Sequence, residues 1–369
     1  MTGCNASPAS HTACQSAAAP SVSLAMAVLI LTGDVNLMNV DDPLVPFARV
    51  RDTFQAADLV FANLECCLYQ PPRGHSFHNE GFFADPAVAG ETLRLAGIGA
   101  VGLANNVNYG EAAILASIAM LDAIGMPHAG AGASLAAARA PVLLQRGGLR
   151  FGCLQRSSVY WPTNHEAGPH DPGIAVIRGH TAYQIPMHGG SPPANRPGLP
   201  PQIVTWADRD YLRWFADDMA ALRAQADIVV ASCHWGVGRE VLQYMREIAH
   251  AAVDAGADIV IGHGPHYSLP VEVYHGKPIF YGLGSFSFHT GHGGRRHGDW
   301  LGMMVRAACA GGAIERVAFQ FVRHDERNRT VLRTLAEEAA AFDQIAQESA
   351  ALGAELAADG DEAVVKLRA

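Results

Sequence analysis

Acidic, amide and imidazole side chains follow five short apolar runs in this sequence, each at the point where the run ends. They are Asp34 with Asn36, Glu65, Asn106, His234, and His263 with His266. A donor set of carboxylate, amide and imidazole groups without a thiolate suits Mn²⁺, Fe²⁺, Zn²⁺ or Mg²⁺, and its oxygen atoms are also compatible with Ca²⁺. The sequence therefore predicts a site for one or two divalent cations.

Two cations about 4 Å apart require a carboxylate that bridges them, and Glu65 or Asp34 can take this role. Such a pair polarises a phosphoryl or carbonyl oxygen and lowers the pKa of a bound water. Each residue alone also has a simpler interpretation, because an aspartate after glycine is often a turn or helix cap. Five polar groups at equivalent positions favour the functional interpretation.

Strands are predicted to position these groups, because each apolar run is short, β-branched and bounded by glycine or a small residue. The run Ile259–Ile261, for example, stops at Gly262 and is followed at once by His263 and His266. Helices are predicted between the runs, at 86–96, 114–124, 211–225 and 239–255, with hairpins at 141–154 and 303–321. Ligands bind at the carboxyl edge of open α/β sheets, so the pattern predicts an α/β fold with its site at that edge.

The chain is predicted to contain one large domain. Residues 1–23 are rich in Ala, Ser, Pro and Thr without periodicity, and we expect a disordered extension there. Residues 24–328 form the domain, in which the Pro-, Gly- and His-rich stretch 156–205 is expected to be a lid loop over the site. Residues 329–369 are predicted to be a C-terminal helix, at 330–352, and a tail.

Composition excludes several classes of function. The 369 residues carry a net charge of −9, which argues against a basic surface for nucleic acid. No apolar stretch reaches the roughly 18 residues of a membrane-spanning helix, so no membrane span is expected. The seven cysteines are scattered and lack CxxC spacing, which favours reduced thiols and a cytoplasmic protein.

Six short motifs occur in a characteristic order. They are Gly33-Asp34, Asn63-Leu64-Glu65, Asn105-Asn106, His234-Trp235-Gly236, Gly262-His263-Gly264-Pro265-His266 and Tyr281-Gly282-Leu283-Gly284-Ser285-Phe286. Together they resemble the CapA family, which is named for poly-γ-glutamate capsule synthesis, over about residues 26–355. The resemblance implies a calcineurin-like metallophosphatase fold, in which a layered β-sheet core is flanked by helices and the metal site lies at the strand C-terminal ends.

By analogy with metallophosphatases, the resemblance implies two metal sites. One cation would be bound by Asp34, Asn36, Glu65 and His266, and the other by Glu65, Asn106 and His234. His263 is an alternative ligand for the second cation, because the first histidine of the family's His-Pro-His motif is replaced here by Gly264.

Two further departures from the family pattern concern catalysis. Val107 stands where the family has the histidine that acts as general acid in metallophosphatases, and Ser285 stands where the family has asparagine. Loss of a general acid typically lowers a rate by about 10²–10⁴-fold. The metal site therefore looks retained while the phosphatase acid looks lost.

Three functions remain open. CapA-like proteins that resemble this chain take part in ribosomal peptide maturation, including as epimerases of lasso-peptide precursors, which favours a metal-dependent epimerase acting on a peptide or poly-amino-acid substrate. The second is a phosphoester hydrolase in which a loop histidine replaces the missing acid. The third is a poly-γ-glutamate or capsule-type polymer protein with a structural metal. Epimerisation is expected to use Asp34, His263, His266 and His289 for acid–base catalysis, with Trp235, His292, Arg295 and Arg296 contacting the substrate.

Overall fold

The structure is a computed structural model, and it describes residues 1–3, 26–71, 82–161, 165–184, 202–288 and 300–367. The strands in these residues are β1 (Ala27–Asn36), β2 (Leu59–Leu64), β3 (Cys67–Leu68), β4 (Phe83–Ala84), β5 (Ala100–Gly102), β6 (His128–Ala129), β7 (Ala131–Gly132), β8 (Val142–Arg146), β9 (Leu149–Ser157), β10 (Gly173–Ile174), β11 (Gly179–Gln184), β12 (Gln202–Ala207), β13 (Ile228–His234), β14 (Ile259–His263), β15 (Val271–Tyr274), β16 (Lys277–Phe280), β17 (Ser285–Phe288), β18 (Gly302–Ala310), β19 (Ala313–His324), β20 (Thr330–Arg333), β21 (Leu356–Asp359) and β22 (Glu362–Val365).

The helices in the same residues are α1 (Arg51–Gln55), α2 (Pro86–Ala96), α3 (Glu111–Ala123), α4 (Leu135–Arg139), α5 (Arg209–Arg223), α6 (Gln243–Asp254) and α7 (Ala339–Ala351). Helix α2 begins where Asp85 accepts hydrogen bonds from two backbone N–H groups. Asp208 caps α5 in the same way, which is why this helix starts two residues before the predicted position. None of the described helices has the length and apolarity that a membrane span requires.

The first sheet contains ten strands. Their order is β21-β22-β19-β18-β1-β2-β5-β6, with β17 pairing β1 and β20 pairing β19. Strands β1, β2, β5 and β6 run parallel to one another, and β17 joins β1 in the same direction. The carboxyl ends of β1, β2 and β5 therefore meet at one edge.

The second sheet contains six strands in the order β15-β16-β14-β13-β9-β8. Its four central strands are parallel, whereas β8 and β15 are antiparallel edge strands. The hairpin predicted at 141–154 is confirmed as β8 and β9, which turn at Gly147 and Gly148. This sheet also has a carboxyl edge, formed by the ends of β9, β13 and β14.

The two sheets pack face to face, as the alternation of buried side chains along each strand shows. Leu29 and Leu31 of β1 share one core with Ile228 and Val230 of β13. Residues at the intervening positions face helices instead. Ile30 of β1 packs in a second core with α1, α2 and α3. The other face of β13 packs in a third core with α5 and α6. The predicted layered fold, with a β-sheet core flanked by helices, is confirmed.

The C-terminal region differs from the prediction. A helix was expected over 330–352, but Thr330–Arg333 forms strand β20, which extends the sheet beyond β19, and α7 begins at Ala339. Beyond α7, the predicted tail forms hairpin β21–β22, whose second strand also pairs with β19. The alanine-rich composition suggested one long helix, whereas the edge of β19 that β18 leaves open offered backbone partners to both segments.

Two other predicted segments are partly or wholly outside the described residues. The N-terminal extension 1–23 lies outside them except for residues 1–3. The stretch 156–205 contains the end of β9, strand β10 and most of the two-stranded ribbon β11–β12, so its described part has regular structure. Its role as a lid stays a prediction.

Candidate metal centre

A β-bulge in β1 turns Asp34 toward the space between the two sheets. Leu31 pairs with Phe61 and Asp34 pairs with Asn63, so β1 has one residue more than β2 over this interval. The extra residue reverses the alternation of side chains, and Asp34 therefore shares the inter-sheet face with Asn63. Gly33 permits the bulge, because a Cβ at this position would lie 2.0 Å from the carbonyl oxygen of the residue before β17.

Parallel pairing in the second sheet brings two histidines to the same space. His234 ends β13, His263 ends β14, and the register places them opposite each other. Val230 and Ile261 of these strands lie in the core between the sheets, and the two-residue alternation of a strand puts the histidines on the same face. Residues from both sheets therefore converge at the shared carboxyl edge.

The side chains form a carboxylate–imidazole cluster. One ligand atom each from Asp34, Glu65 and His266 lie within 4.8 Å of one another. His266 Nδ1 is 3.1 Å from Asp34 Oδ2 and 3.9 Å from Glu65 Oε2. His263 Nδ1 is 3.3 Å from Asp34 Oδ1, and His234 Nε2 is 3.9 Å from Glu65 Oε1. Glu65 thus lies between His266 and His234, where a bridging carboxylate would lie.

Burial and neighbouring charges shift the pKa values in this cluster in opposite directions. Burial would raise the pKa of Asp34, but its contacts with His263 and His266 hold that pKa well below the usual range. The pKa of Glu65 is raised well above its ordinary value by burial and by the charge of Asp34. Burial lowers the pKa of His234 to about 3, so this imidazole is neutral and retains a lone pair that can bind a metal.

Several polar atoms of the predicted metal ligands lack a hydrogen bond. Within the part of the chain that the structure describes, Asp34 Oδ2, Glu65 Oε2, Asn106 Oδ1 and both ring nitrogens of His263 are buried without a hydrogen-bond partner. A buried unsatisfied polar atom costs about 1–3 kcal/mol and is rare in native proteins. Atoms that coordinate one cation at about 2.1 Å lie roughly 3–4 Å from each other, which matches the separations in the cluster. The residues therefore fit a divalent cation.

Two predicted site residues have polar atoms that hydrogen-bond to the backbone. Asn36 Nδ2 donates to the backbone oxygen of Glu65 at 2.9 Å, and Asn36 Oδ1 accepts from the backbone N–H of Met38 at 2.9 Å. Both polar atoms of the Asn36 amide are thus used to hold the backbone. Trp235, expected to contact substrate, is fully buried and donates to the backbone oxygen of Tyr281 at 2.9 Å; it packs in the core instead.

His266 is held at the solvent side of the cluster. Its backbone φ is +63°, a left-handed value that is uncommon for a residue with a side chain. The imidazole stacks on Trp300, with ring centroids 4.9 Å apart, and contacts Phe288 edge-on. Ser285, which replaces the family's asparagine, places its Oγ 3.3 Å from His266 Nδ1. The side chain of His266 is 14% exposed, whereas those of Asp34 and His263 are fully buried.

The loop after β5 carries Asn106 and Val107. Val107 is buried, and its backbone oxygen accepts a hydrogen bond from Cys67 Sγ at 3.1 Å. A histidine that the sequence analysis did not single out, His165, holds this loop: its Nε2 is 2.9 Å from the backbone oxygen of Asn105. Its Nδ1 accepts from the backbone N–H of Trp161 at 2.7 Å. Because both ring nitrogens are engaged, His165 supports the Asn106 loop.

Four predicted catalytic or substrate-binding residues lie outside the part of the chain that the structure describes. His289, His292, Arg295 and Arg296 lie in the segment 289–299, outside the described residues. Their roles in acid–base catalysis and substrate contact stay predictions.

Two buried amides next to the cluster were also missed as site residues. Asn63 lies in the Asn63-Leu64-Glu65 motif, and Gln155 lies two residues before the end of β9, in which Phe151 and Cys153 face the core between the sheets. The two-residue alternation of a strand was a usable signal, because it places Gln155 on the same face as Phe151 and Cys153.

Comparison with known proteins identifies the family. Residues 23–290 match the family model described as "Bacterial capsule synthesis protein PGA_cap", and this range is more than half of the chain. The chain belongs to the PGA_cap family. The resemblance to CapA proteins is thereby confirmed.

Curated relatives of this PGA_cap protein match parts of it. The "PGA biosynthesis protein CapA" of Bacillus subtilis is 44% identical over 79 residues, which are 21% of this chain and 21% of the relative. The "Probable polyglutamine synthesis accessory protein MT0602" of Mycobacterium tuberculosis is 32% identical over 189 residues, 49% of this chain and 43% of the relative. The "Uncharacterized protein y4sH" of Sinorhizobium fredii is 26% identical over 289 residues, 66% of this chain and 61% of the relative. In each case the match spans less than two thirds of the relative's length.

Proposed function

We propose that this PGA_cap protein is a metal-dependent enzyme that acts on a peptide or poly-amino-acid substrate, and that its reaction is epimerisation at a Cα. The observation that carries the proposal is the set of buried carboxylate, amide and imidazole atoms without hydrogen-bond partners at the shared carboxyl edge. Asp34, Glu65 and His266 would hold one divalent cation. Glu65, Asn106 and His234 would hold a second, with His263 as a further donor.

The names of the relatives support the substrate class. Two of them are named for the synthesis of PGA or polyglutamine, which are polymers of amino acids. A bound cation would polarise the carbonyl oxygen next to a Cα and make its proton more acidic. The Cα–H bond breaks as a base takes the proton, and the electron pair moves into the adjacent carbonyl. A proton returned to the opposite face restores the bond with inverted configuration, so no other atom is gained or lost.

The proton transfers need groups that the substrate can reach. Among the described candidates, His266 is the one with a partly exposed side chain, because Asp34 and His263 are fully buried. His266 would therefore face the substrate side, with its Nδ1 3.1 Å from Asp34 Oδ2. The second proton-transfer group is expected among the loop histidines 289, 292 and 297.

Phosphoester hydrolysis is the second candidate function. It is favoured by the position of Glu65 between His266 and His234, because a bridging carboxylate suits two-metal hydrolysis. It is disfavoured by Val107, a buried side chain without a proton to donate. A third possibility, a polymer-handling role with a structural metal, requires no catalysis at all.

The first test is metal content and solvent exchange. Purified protein is analysed for bound divalent metals, and a candidate precursor peptide is then incubated with it in D₂O. Epimerisation predicts deuterium uptake at one Cα without a mass change in H₂O, whereas hydrolysis predicts phosphate release from an aryl phosphate. A polymer-handling role predicts neither. Protein that copurifies without metal, and gains no activity when metal is added, contradicts the proposal.

A matched pair of variants localises the effect. Asp34→Asn removes one carboxylate charge from the cluster and should abolish metal binding. Asp58→Asn makes the same change at the amino end of β2, where Asp58 Oδ2 accepts from the backbone N–H of Val28 at 2.7 Å. Strand geometry places this position about 17 Å from Asp34, so Asp58→Asn should keep the metal.

A further inference from the structure

A buried chain of amides links the second sheet to Asp34. Gln155 on β9 donates through Nε2 to Asn63 Oδ1 at 2.9 Å. Asn63 on β2 then donates through Nδ2 to Asp34 Oδ1 at 2.9 Å. All three side chains are fully buried, and the chain crosses the space between the two sheets at the same edge as the metal cluster.

The direction of every hydrogen bond in this chain is determined by one backbone group. The N–H of Ala104 can only donate, and it donates to Gln155 Oε1 at 2.7 Å. Gln155 must therefore turn its NH₂ group to Asn63. Asn63 must accept with its oxygen, and its NH₂ group must face Asp34.

A second amide supports the same orientation. Asn105 Nδ2 donates to Asn63 Oδ1 at 3.2 Å and to the backbone oxygen of Leu64 at 2.8 Å. Asn105 Oδ1 accepts from the backbone N–H of Asn108 at 3.1 Å. The oxygen of Asn63 thus receives two N–H donors, which leaves no reason for this amide to rotate.

Two glycines provide the space for Gln155. A Cβ at Gly102 would lie 2.3 Å from Gln155 Oε1, and a Cβ at Gly130 would lie 2.7 Å from the nitrogen of Ala104. Gly102 lies on the inter-sheet face of β5, next to the inward-facing Ala100. Any side chain at Gly102 would therefore displace Gln155 from Asn63.

We infer that Asn63 and Gln155 are positioning residues for the metal centre. This inference rests on the metal site proposed above. The N–H of Asn63 occupies Asp34 Oδ1, whereas Asp34 Oδ2 is buried without a hydrogen bond among the described residues. The amide chain thus holds Asp34 through Oδ1 and leaves Oδ2, which lies 3.1 Å from His266 Nδ1, without an amide donor. Groups that hydrogen-bond to a metal ligand typically contribute about 10–100-fold to metal affinity.

The test compares metal affinity with the stability of the metal-free protein. Mn²⁺ and Zn²⁺ are titrated by calorimetry, and melting temperatures are measured with and without each ion. Asn63→Asp keeps the shape and the acceptors of Asn63, and in its ionised form it has no proton to donate to Asp34. We expect it to weaken binding about 10–100-fold, although its added negative charge alone would strengthen the binding of a cation.

Two more variants act at the other end of the chain. Gln155→Met removes the hydrogen bonds but keeps an unbranched side chain, and Gly102→Ala displaces Gln155 without removing a polar group. Both should weaken Mn²⁺ and Zn²⁺ binding, by about 10-fold. These variants decide the question even where Asn63→Asp does not fold.

Asp258→Asn is the matched control for a purely structural effect. Asp258 is a buried residue before β14 that accepts from the backbone N–H of Val229 at 2.9 Å. It lies about 16 Å from His263 by strand geometry. This variant should lower the melting temperature of the metal-free protein and leave the metal-induced rise in melting temperature unchanged.

The outcomes separate this inference from the proposed function. Wild-type protein that binds neither Mn²⁺ nor Zn²⁺ contradicts the proposed metal centre. Wild-type protein that binds metal, together with folded Asn63→Asp, Gln155→Met and Gly102→Ala variants that bind it equally well, overturns the positioning role alone. If Asp258→Asn lowers metal affinity as much as the three amide-chain variants do, the loss of affinity reflects general stability. This result would also overturn the positioning role.

Discussion

Replacing His165 should make the protein's stability less dependent on pH. Burial lowers the pKa of this imidazole from its ordinary value of 6.5 to about 4, and its hydrogen bonds to neighbouring backbone groups only partly oppose the shift. The neutral ring accepts the N–H of Trp161 at Nδ1. A proton on Nδ1 would place two donors against each other in a buried site, so the folded state resists protonation.

The lowered pKa of His165 determines the direction in which stability changes with pH. Below the ordinary pKa the unfolded chain takes up a proton on His165 while the folded protein does not, so stability falls as the pH decreases from 6.5 toward 4. Above 6.5 the two states bind protons equally at this residue. For these two pKa values, the loss is about 2 kcal/mol at pH 5, and it approaches about 3 kcal/mol once both states are protonated.

The assay is urea unfolding of the metal-free protein at several pH values between about 8 and 5, for wild type and for His165→Gln. Glutamine can keep contacts to Trp161 and Asn105 but does not titrate. Other titrating groups are present in both proteins, and those that do not interact with His165 cancel in the difference. The wild-type advantage over the variant should shrink by about 2 kcal/mol between the two pH limits.

A difference in unfolding free energy between wild type and His165→Gln that stays constant across this pH range would refute a lowered pKa for His165 in the folded protein. A constant difference would mean that His165 has the same pKa in both states. The comparison at the high-pH limit is the internal control, because there the difference reports only packing and hydrogen bonds.

Three other predictions concern backbone space, a buried charge and the metal. Gly264 has a φ of +106°, and a Cβ there would lie 3.1 Å from His234 Nε2. Gly264→Ala should therefore lower the free energy of unfolding by about 1–3 kcal/mol in a melting experiment and weaken metal binding. Gly148→Ala, at φ of +80° with open space around it, should affect stability but not metal binding; equal metal affinities for both variants would contradict the crowding of His234. Asp218→Asn should destabilise the protein by about 3–5 kcal/mol in urea unfolding, because it removes the carboxylate partner of the buried Arg156; an unchanged unfolding midpoint would count against this. Removing bound metal with a chelator should reduce stability by about 3 kcal/mol relative to protein with free metal about 100-fold above its dissociation constant, and a melting temperature unaffected by the chelator would contradict a folded-state metal site.

Much of the fold followed from local patterns in the sequence. The strands that carry or directly precede Asp34, Glu65, His234 and His263 were predicted because short β-branched runs bounded by small residues favour buried strands. Helix α2 was predicted with correct bounds, since Asp85, Pro86 and Gly97 provide strong start and stop signals. The C-terminal helix was predicted too long, because helix propensity says nothing about an unpaired strand edge nearby in space.

Local patterns in the sequence also did not reveal part of the candidate site, because they do not report contacts with distant parts of the chain. The sequence placed Asn36 two residues after Asp34 and next to the cluster, but only the structure shows that both polar atoms of its amide hold backbone groups. Trp235 follows a predicted ligand directly, yet the alternation of the chain at that point buries it. His165 acts across 60 residues of sequence through a single hydrogen bond, a separation at which no local pattern gives a signal.

The sequence by itself determined which chemistry is available: acids, amides and imidazoles at the ends of buried strands, without thiolates. Only the tertiary structure decided which way they point. The bulge at Gly33 changes the face on which Asp34 lies, because one inserted residue reverses a two-residue alternation. The backbone N–H of Ala104, acting through Gln155 and Asn63, then determines which oxygen of Asp34 accepts the amide hydrogen bond. Both effects depend on contacts between strands far apart in the chain.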